Sequence, residues 1–446
     1  MKSHSDKVSR KRGNRFPIYT LRLPTVRVYI IHATELIPAV QRQWRTVSFT
    51  PIMANAGRAV LGVSQTGTDI LRKDLTSDSN PVVGLLPILS RVMAPGPSLD
   101  CMVRRAAEIM TTSMDRLKRG DGAPVTIKLY EWTRHEILMA TTEAVFGPKN
   151  PYQEPAVESA WRTLEPSYLS LALSPLKPLT SPRALQAREF LASSFISYLE
   201  NNGPATASAF IREAHAHNVS HGFTTDDLAR FEIGHSHAVI GSTAPTAWWL
   251  LWHVYSDPVV LGEVRAELEE LAADSLDPLG EKTRSLDLSL LTSHASILQS
   301  ALKETLRVHT ISPAVRFCLE DHLLEGKYLL RKGALVIVPQ PLHHSSTFAW
   351  GEKGHNHVAF RAFGGGHTLC PGRHFSAAEI VAFVAMMVLR FDVAPKKAGK
   401  WVAPTCEKTP MVASLQIPDE DVEVEVRARE NGRGQWQFVS PGAGKE

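Results

Sequence analysis

The sequence predicts a mainly α-helical protein with small β-sheets, formed as one large domain. Over most of the 446-residue chain, apolar residues recur at three- to four-residue spacing, which is typical of helices that bury one face. Shorter alternating stretches near both ends and in the middle of the chain indicate strands. No Ser/Gly/Pro-rich linker or low-complexity tract interrupts the chain, so we expect residues 16–446 to form a single domain.

Local patterns place the elements in order. Two alternating stretches on either side of a Pro-Thr pair predict an N-terminal hairpin, and glycine-punctuated or alternating stretches in the second half predict further strands. The predicted strands lie within residues 18–23, 26–31, 322–339, 422–427 and 435–439. The predicted helices span residues 100–117, 127–145, 181–199, 225–255, 258–273, 294–308 and 375–389.

Two of these helices have special features. Residues 225–255 would form a helix about 46 Å long. Pro245 lies inside it, and proline removes a backbone donor and clashes with the carbonyl four residues earlier, so the turn containing Gly241 and Ser242 is expected to be kinked or open. Residues 375–389 are apolar on nearly every helical face, which predicts a position in the core.

Cysteine content and charge exclude several classes of protein. The four cysteines form no Cys-x-x-Cys pair, so neither a zinc ribbon nor a secreted disulfide framework is indicated. The net charge of +4 arises in residues 1–15, which we interpret as a basic, solvated and disordered leader because no aromatic residue lies among its charges. No nucleic-acid partner is expected. The most apolar stretches, residues 238–252 and 380–389, are shorter than the roughly 18 residues of a spanning helix.

Residues 363–373, Phe-Gly-Gly-Gly-His-Thr-Leu-Cys-Pro-Gly-Arg, place Cys370 in a glycine-rich loop directly before the apolar helix. The free N–H groups and the dipole of a helix N-terminus stabilise a thiolate. The loop is therefore a candidate metal cradle or nucleophile site, whereas most free cysteines are buried structural thiols. A chance match to Phe-x-x-Gly-x-x-x-Cys-x-Gly is rare.

This loop resembles the haem-binding signature of the cytochrome P-450 superfamily. The resemblance implies the P-450 fold, haem b as the cofactor and Cys370 as the axial ligand of the haem iron. It also implies that four other loop residues, Phe363, Gly366, Thr368 and Gly372, bind the cofactor.

Three further residues carry the same resemblance. Glu304 and Arg307 resemble the Glu-x-x-Arg pair of the family, and at i,i+3 they share one helix face. The resemblance assigns both to the cofactor-binding region. Arg316 resembles the arginine that pairs with a haem propionate, since a guanidinium fork matches a carboxylate. The alternative for Arg316 is an ordinary arginine at a strand edge.

The long helix departs from the Ala/Gly-Gly-x-Asp/Glu-Thr element of the family, in which the acid and the alcohol relay protons during dioxygen activation. Gly241 aligns with the acid and Ser242 with the threonine. This departure, followed by Pro245, resembles the branch that contains the sterol 7α- and 12α-hydroxylases and prostacyclin synthase. Ser242 and Thr243 are the expected catalytic residues, and the alternative for both is a hydrogen bond back to the preceding helical turn.

The resemblance implies a monooxygenase that oxidises a hydrophobic small molecule of terpenoid, steroid, polyketide or alkaloid type, as in secondary metabolism. NADPH-cytochrome P-450 reductase would supply its electrons. A hydroperoxide isomerase or lyase of prostacyclin-synthase type, which needs no reductase, and a degenerate haem protein without activity are the alternatives. The expected docking face for the reductase comprises Arg373, Arg390, Lys396, Lys397 and Lys400. The expected substrate pocket comprises His235, Ala238, Val239, Ile311, Ala314 and Val315.

Two elements of the family are not recognised in the sequence, namely the N-terminal anchor with its hinge and the Phe-x-Pro-x-Arg-Phe meander expected after Gly351. Without the arginine of the meander, Glu304 and Arg307 lack a third partner, for which Arg361 or a nearby histidine is the expected substitute. Low haem occupancy or low stability is therefore expected. Family resemblance implies the endoplasmic reticulum membrane, whereas the lack of a spanning segment favours a cytoplasmic monomer with at most peripheral membrane contact.

Overall fold

The computed structural model is mostly helical with four small sheets in the part of the chain that it describes, which confirms the predicted fold class. The predicted leader, residues 1–15, lies outside that part. The described residues are 16–118, 122–174, 176–276, 282–346, 350, 356–397, 399–410, 413–432 and 435–439.

The α-helices are numbered in chain order. They are α1 (Ile37–Arg42), α2 (Thr50–Ala56), α3 (Gln65–Arg72), α4 (Pro81–Val92), α5 (Pro97–Asp115), α6 (Leu129–Phe146), α7 (Pro155–Leu164), α8 (Tyr168–Leu173), α9 (Lys177–Thr180), α10 (Pro182–Glu200), α11 (Ala209–Ser220), α12 (Thr225–Ile240), α13 (Thr243–Ser256), α14 (Pro258–Leu271), α15 (Leu288–Ser293), α16 (Ser296–His309), α17 (Gln340–His344) and α18 (Arg373–Arg390).

The strands form one five-stranded sheet of order β1-β2-β10-β7-β3 and three smaller sheets of orders β11-β12-β4, β13-β6-β5 and β8-β9. The predicted hairpin is confirmed, since β1 and β2 pair antiparallel. The strands are β1 (Ile18–Arg22), β2 (Arg27–Ile31), β3 (Val47–Ser48), β4 (Val125–Lys128), β5 (Ala272–Leu276), β6 (Lys282–Asp287), β7 (Ala314–Cys318), β8 (His322–Leu324), β9 (Tyr328–Leu330), β10 (Leu335–Val338), β11 (Phe391–Pro395), β12 (Glu423–Ala428) and β13 (Gln435–Val439).

Helix α18 lies at the centre of the main core, as its all-round apolarity predicts. All residues from Glu379 to Arg390 are buried, and α18 packs against α5, α13 and α14. Helix α13 adds a fully buried Trp248, whose ring meets Tyr130 of α6 edge-on at 5.9 Å. The cysteine loop is therefore anchored to a helix at the centre of the core.

The long helix is broken where Pro245 predicts a break. Helix α12 ends at Ile240, Ser242 leaves helical geometry (φ −111°, ψ −20°), and α13 begins at Thr243. Proline is tolerated in the first turn of α13 because N–H groups there have no partner within the helix. The opened turn thus contains Gly241 and Ser242.

Three expectations about elements need correction. Residues 127 and 128 belong to strand β4, which pairs with β12, so α6 begins at Leu129. Helix α14 ends at Leu271 because residues 272–276 pair with β6. Helices α1 to α4, α7 to α9, α11, α15 and α17 were not predicted. Within the described ranges no single helix has the length and apolarity to cross a membrane; only α4 and α5 together, bent by 74°, meet that test.

Candidate active site

Backbone contacts and glycine turns close the loop that carries Cys370. The Cys370 N–H donates to the carbonyl of Phe363 at 3.0 Å. Gly364 and Gly366 have φ values of 75° and 66°, which favour glycine. A Cβ on Gly366 would lie 2.9 Å from the Cβ of Gln41 on α1, so a larger residue there would push the loop away from this helix.

The Cys370 side chain is half-buried and lies at the N-terminus of α18. Burial raises the pKa of its thiol, whereas the charge of Arg373 and hydrogen bonds from the N–H groups of Gly372 and Arg373 lower it. Burial has the larger effect on the pKa. The N–H groups nevertheless face the sulfur as the sequence predicts, so the loop presents a sulfur atom with donors directed at it.

A cavity of about 550 Å³ separates the cysteine loop from the opened turn of the long helix. Cys370, Phe363, Thr368 and Gly372 line its loop side. Thr243 Oγ1 lies 3.4 Å from Ser376 Oγ and joins α13 to α18 at one edge. Further lining residues include Tyr130, Arg134, Glu165, His237, Ser312 and Gln340.

The two alcohols expected to be catalytic differ in their hydrogen bonds. Thr243 donates from Oγ1 to the carbonyl of Val239 at 2.9 Å and is buried, which is the back-bonded alternative. Ser242 lines the cavity, and no residue of the described structure hydrogen-bonds to its hydroxyl. Ser242 therefore offers the alcohol with the freer hydrogen-bonding capacity.

Two arginines near the cysteine loop lack a carboxylate partner among the described residues. Arg316 donates to the hydroxyl of Thr368 and to the carbonyl of Val315 at 2.8 Å. Arg361 is 3% exposed, and the Gln41 amide oxygen, when oriented toward it, accepts from both terminal nitrogens at 2.9 and 3.0 Å. Burial lowers the pKa of each guanidinium to about 10. This region is short of negative charge.

Glu304 and Arg307 form the predicted pair, outside the main cavity. Arg307 Nε donates to Glu304 at 2.8 Å and its Nη1 donates to the carbonyl of His344 at 2.6 Å. His344 donates from Nδ1 to the Arg307 carbonyl and accepts at Nε2 from the N–H of Arg361, both at 2.9 Å. His344 thus links α16 to the segment before the cysteine loop through main-chain carbonyl and N–H groups.

Of the predicted pocket residues, only Ala238 and Val239 line the cavity. His235 lies one turn earlier on α12, where its Nδ1 is 3.0 Å from Glu232 and its ring meets Phe210 edge-on. The prediction for His235 is therefore wrong, because this pairing holds the imidazole outside the cavity.

The segment after α16 contributes a different residue from those predicted. Ile311 donates its N–H to the carbonyl of Ser414, and β7 begins at Ala314 and pairs with β10, so Ile311, Ala314 and Val315 do not line the cavity. Ser312 lines it instead and donates to Gln340 at 3.3 Å. The turn between α16 and β7 is what directs Ser312 inward.

The lining residues that were not predicted include Arg134, Glu165 and His237. Arg134 pairs with Oε2 of Glu165 at 2.9 Å. Burial raises the pKa of Glu165 and lowers the pKa of His237 to about 4. They come from three separate elements and form no motif. The only signal in the sequence is indirect, since an acid missing at Gly241 is a reason to look for a carboxyl elsewhere.

The residues present fit a haem. A sulfur faces the cavity, and the small residues Gly364, Gly372 and Ala244 leave space between the loop and the long helix. Arg316 and Arg361 lack the anions that a cofactor carrying carboxylates supplies.

Comparison with known proteins agrees with this geometry. Residues 188–420 match the family model described as Cytochrome P450. Cytochrome P450 monooxygenase nodJ of Hypoxylon pulicicidum is 30% identical over 447 residues, which cover 95% of this chain and 85% of the relative. The human 7-alpha-hydroxycholest-4-en-3-one 12-alpha-hydroxylase is 27% identical over 184 residues, 34% of this chain and 36% of the relative. The predicted likeness to the 12α-hydroxylase branch is confirmed.

Among solved structures, the haem domain of cytochrome P450DA superposes with a TM-score of 0.71 at 14% identity, covering 97% of this chain and 94% of that chain. At this identity the match shows the fold, which confirms the expected P-450 architecture. With the family match and the relatives, it also identifies haem as the cofactor. The chain therefore belongs to the cytochrome P450 family and is a haem-dependent oxidoreductase.

Proposed function

We propose that this protein is a haem–thiolate monooxygenase acting on a hydrophobic small molecule of terpenoid, steroid, polyketide or alkaloid type. The position of Cys370 carries the proposal, because its sulfur lines the cavity opposite the opened turn of the long helix. When bound there, haem supplies the activation of dioxygen that converts a C–H bond to C–OH. Ala238, Val239 and Ala244 give the cavity apolar walls for such a substrate.

Each cofactor-binding residue has a specific part in this proposal. Cys370 ligates the iron, with the N–H groups after it favouring the thiolate. Arg316 and Thr368 bind a carboxylate of the cofactor, since Arg316 already donates to the Thr368 hydroxyl. Phe363 and Gly372 contact the cofactor from the loop side of the cavity.

The remaining assigned residues act as supports. Gly366 permits the close approach of the loop to α1. Glu304 and Arg307 hold α16 against the segment that precedes the loop, through His344. Gly366, Glu304 and Arg307 do not line the main cavity, so their effect on the cofactor is indirect.

The electron donor that we propose is NADPH-cytochrome P-450 reductase, docking on the cysteine side of the molecule. Lys396, Lys397 and Lys400 are exposed, and Arg373, at the start of α18, is half-buried. Arg390 is not available for docking, because it is fully buried and pairs with Asp115. The basic docking face is therefore smaller than the sequence suggests.

The ferrous carbon-monoxide difference spectrum of the purified holoenzyme tests the proposal. The wild type and Cys101→Ser, a matched control at an exposed free cysteine, should show the thiolate-specific Soret shift, and Cys370→Ser should lose it. A thiolate spectrum in Cys370→Ser would refute the ligand assignment. The same spectrum measures haem occupancy, since the sequence predicts low haem occupancy or low stability.

Dependence on the reductase separates the two enzymatic alternatives. A monooxygenase should consume NADPH only when the reductase is present. Turnover of an organic hydroperoxide without NADPH or reductase would favour the isomerase or lyase alternative, which needs neither. A haem-loaded protein that performs neither reaction would point to the degenerate alternative.

A further inference from the structure

The carboxyl group missing from the long helix has a replacement in space. Gly241 aligns with the acid of the family element and carries no side chain. A Cβ added to Gly241 would lie 3.3 Å from Oε1 of Glu165 and 3.3 Å from Cε1 of His237. Glu165 belongs to the 3-10 turn Glu165–Ser167 that follows α7. The space that an acidic side chain at position 241 would occupy is therefore filled by a carboxyl from another element.

Glu165 is held so that one of its oxygens remains available. Its Oε2 pairs with Nη2 of Arg134 at 2.9 Å. No described residue donates a hydrogen bond to Oε1, which is the oxygen that faces Gly241. Both side chains are about one-fifth exposed (19% and 20%), and both line the cavity that contains Cys370. An oxygen that is fixed in place and free to bond faces the opened turn.

The position of Glu165 relative to the long helix is fixed by packing. Leu164, the residue before it, is fully buried. The rings of Trp161 and Tyr168 lie 6.2 and 4.5 Å from the ring of His237 on α12. The turn that carries Glu165 is therefore attached to α12 on both sides, so the distance to Gly241 is set by the core.

Burial favours the protonated form of Glu165, whereas the neighbouring arginines favour its carboxylate. The charges of Arg134 and Arg162 lower the pKa of Glu165 and stabilise its carboxylate. Burial acts in the opposite direction and is the larger effect, so the pKa is raised overall. Tyr130 and His237 also line this part of the cavity. A buried carboxyl with a raised pKa, an arginine partner and one unbonded oxygen facing the opened turn is suited to proton delivery.

We propose that Glu165 is a catalytic residue that delivers protons at the opened turn, in place of an acid at position 241. This inference rests on the proposed monooxygenase function. Glu165 gives the proton on Oε1 to water beside the Ser242 hydroxyl, Arg134 stabilises the carboxylate that remains, and cavity water returns a proton. Each hydroxylation consumes one dioxygen, two electrons from NADPH and two protons, and it releases one water, so two deliveries balance the reaction.

The first test measures the rate of NADPH oxidation by the holoenzyme and the reductase in air-saturated buffer. This assay needs no organic substrate, because dioxygen can be reduced to hydrogen peroxide. Glu165→Gln should lower the rate by about tenfold or more and increase the solvent isotope effect. Glu158→Gln is the matched control, since Glu158 lies on α7 and pairs with Arg162 but does not line the cavity. Its rate should stay within about twofold of wild type.

Relocating the carboxyl group separates proton delivery from a structural effect. Glu165→Ala empties the space beside Gly241 and should lower the rate as Glu165→Gln does. Adding Gly241→Asp to Glu165→Ala puts a carboxyl back at that point from the long helix and should restore most of the rate. A purely structural role for Glu165 would give no such rescue.

The second test does not depend on turnover. The infrared spectrum of the protein is followed over pH in a Glu379→Gln background, which removes another buried acid. It should contain a protonated-carboxyl band that persists above the ordinary pKa of glutamic acid, because burial raises the pKa of Glu165, and that disappears in Glu165→Gln. Two results would overturn this inference and leave the proposed function intact. One is the absence of this band, and the other is a Glu165→Gln rate within about twofold of wild type with a normal carbon-monoxide spectrum. A wild type with neither the thiolate spectrum nor NADPH oxidation overturns the proposed function and this inference together.

Discussion

Replacing Glu379 by glutamine should remove a strong pH dependence from the stability of the protein. Glu379 lies on α18, is 1% exposed and accepts a hydrogen bond at Oε1 from Thr141 at 2.7 Å. Its Oε2 has no hydrogen-bond partner among the residues that the structure describes. Burial raises the pKa of this carboxyl from 4.5 to about 8, so it is neutral in the folded protein at pH 7.

The sign and size of the effect follow from linkage. In the unfolded chain Glu379 ionises above pH 4.5, whereas in the folded protein it keeps its proton until about pH 8. Its contribution to stability is therefore fully present below pH 4.5 and is lost as the pH rises to 8. Between pH 5 and pH 8 the loss in the free energy of unfolding is about 3 kcal/mol. Glutamine keeps the acceptor for Thr141 and cannot ionise.

Thermal unfolding of the holoenzyme between pH 5 and pH 8 measures this difference. At ~2.1 cal/mol/K per residue, 446 residues give an unfolding entropy near 0.9 kcal/mol/K, so 3 kcal/mol corresponds to about 3 °C. Relative to wild type, Glu379→Gln should therefore gain about 3 °C from pH 5 to pH 8. Glu263→Gln, at an exposed position on α14, is the control and should show no gain. Equal pH slopes for Glu379→Gln and wild type would refute the reasoning.

Three further substitutions test features of the fold by denaturant or thermal unfolding. Asn80→Ala should lower the free energy of unfolding by about 2 kcal/mol, because Asn80 is buried, caps α4 and donates to two carbonyls. An unchanged unfolding midpoint would contradict this. Asp115→Asn should lower the free energy of unfolding by about 3 kcal/mol, because it leaves the fully buried Arg390 without its carboxylate. Adding Arg390→Met should recover part of that loss, and purely additive effects of the two substitutions would contradict this. Gly147→Ala should prevent stable folding, because its Cβ would lie 2.4 Å from the Thr206 carbonyl oxygen. Gly222→Ala, at a similar positive φ but in open space, should cost only about 1 kcal/mol, so equal costs for the two glycines would contradict the packing argument.

The features that were predicted correctly depend on local chemistry. Pro245 disrupts a continuous helix whatever the surrounding tertiary structure is. The break between α12 and α13 lies in the turn that precedes it, as predicted. The all-round apolarity of residues 375–389 is compatible only with a buried helix, and α18 is buried. In the cysteine loop, glycine spacing and the following helix define the geometry within about ten residues.

The features that were missed depend on distant partners. Residues 272 and 273 continue the helical pattern of α14, and only their pairing with β6 makes them part of a strand. Helix α4 contains Gly84 and Pro87, so its composition does not favour a helix. The N-cap at Asn80 and packing against α11 stabilise it nevertheless. Glu165 lies in an ordinary Glu-Pro-Ser stretch, and only the fold brings it to Gly241.

The parallel pairing of β2 with β10 has a consequence for biosynthesis. Val28 is opposite Leu335, so β2 leaves the ribosome 307 residues before its partner strand. At roughly 5–20 residues per second, the nascent chain keeps one edge of the N-terminal hairpin uncovered for about 15 to 60 s. Apolar residues of β2 are exposed during that time, which makes a chaperone that binds extended apolar segments important for the yield of folded protein.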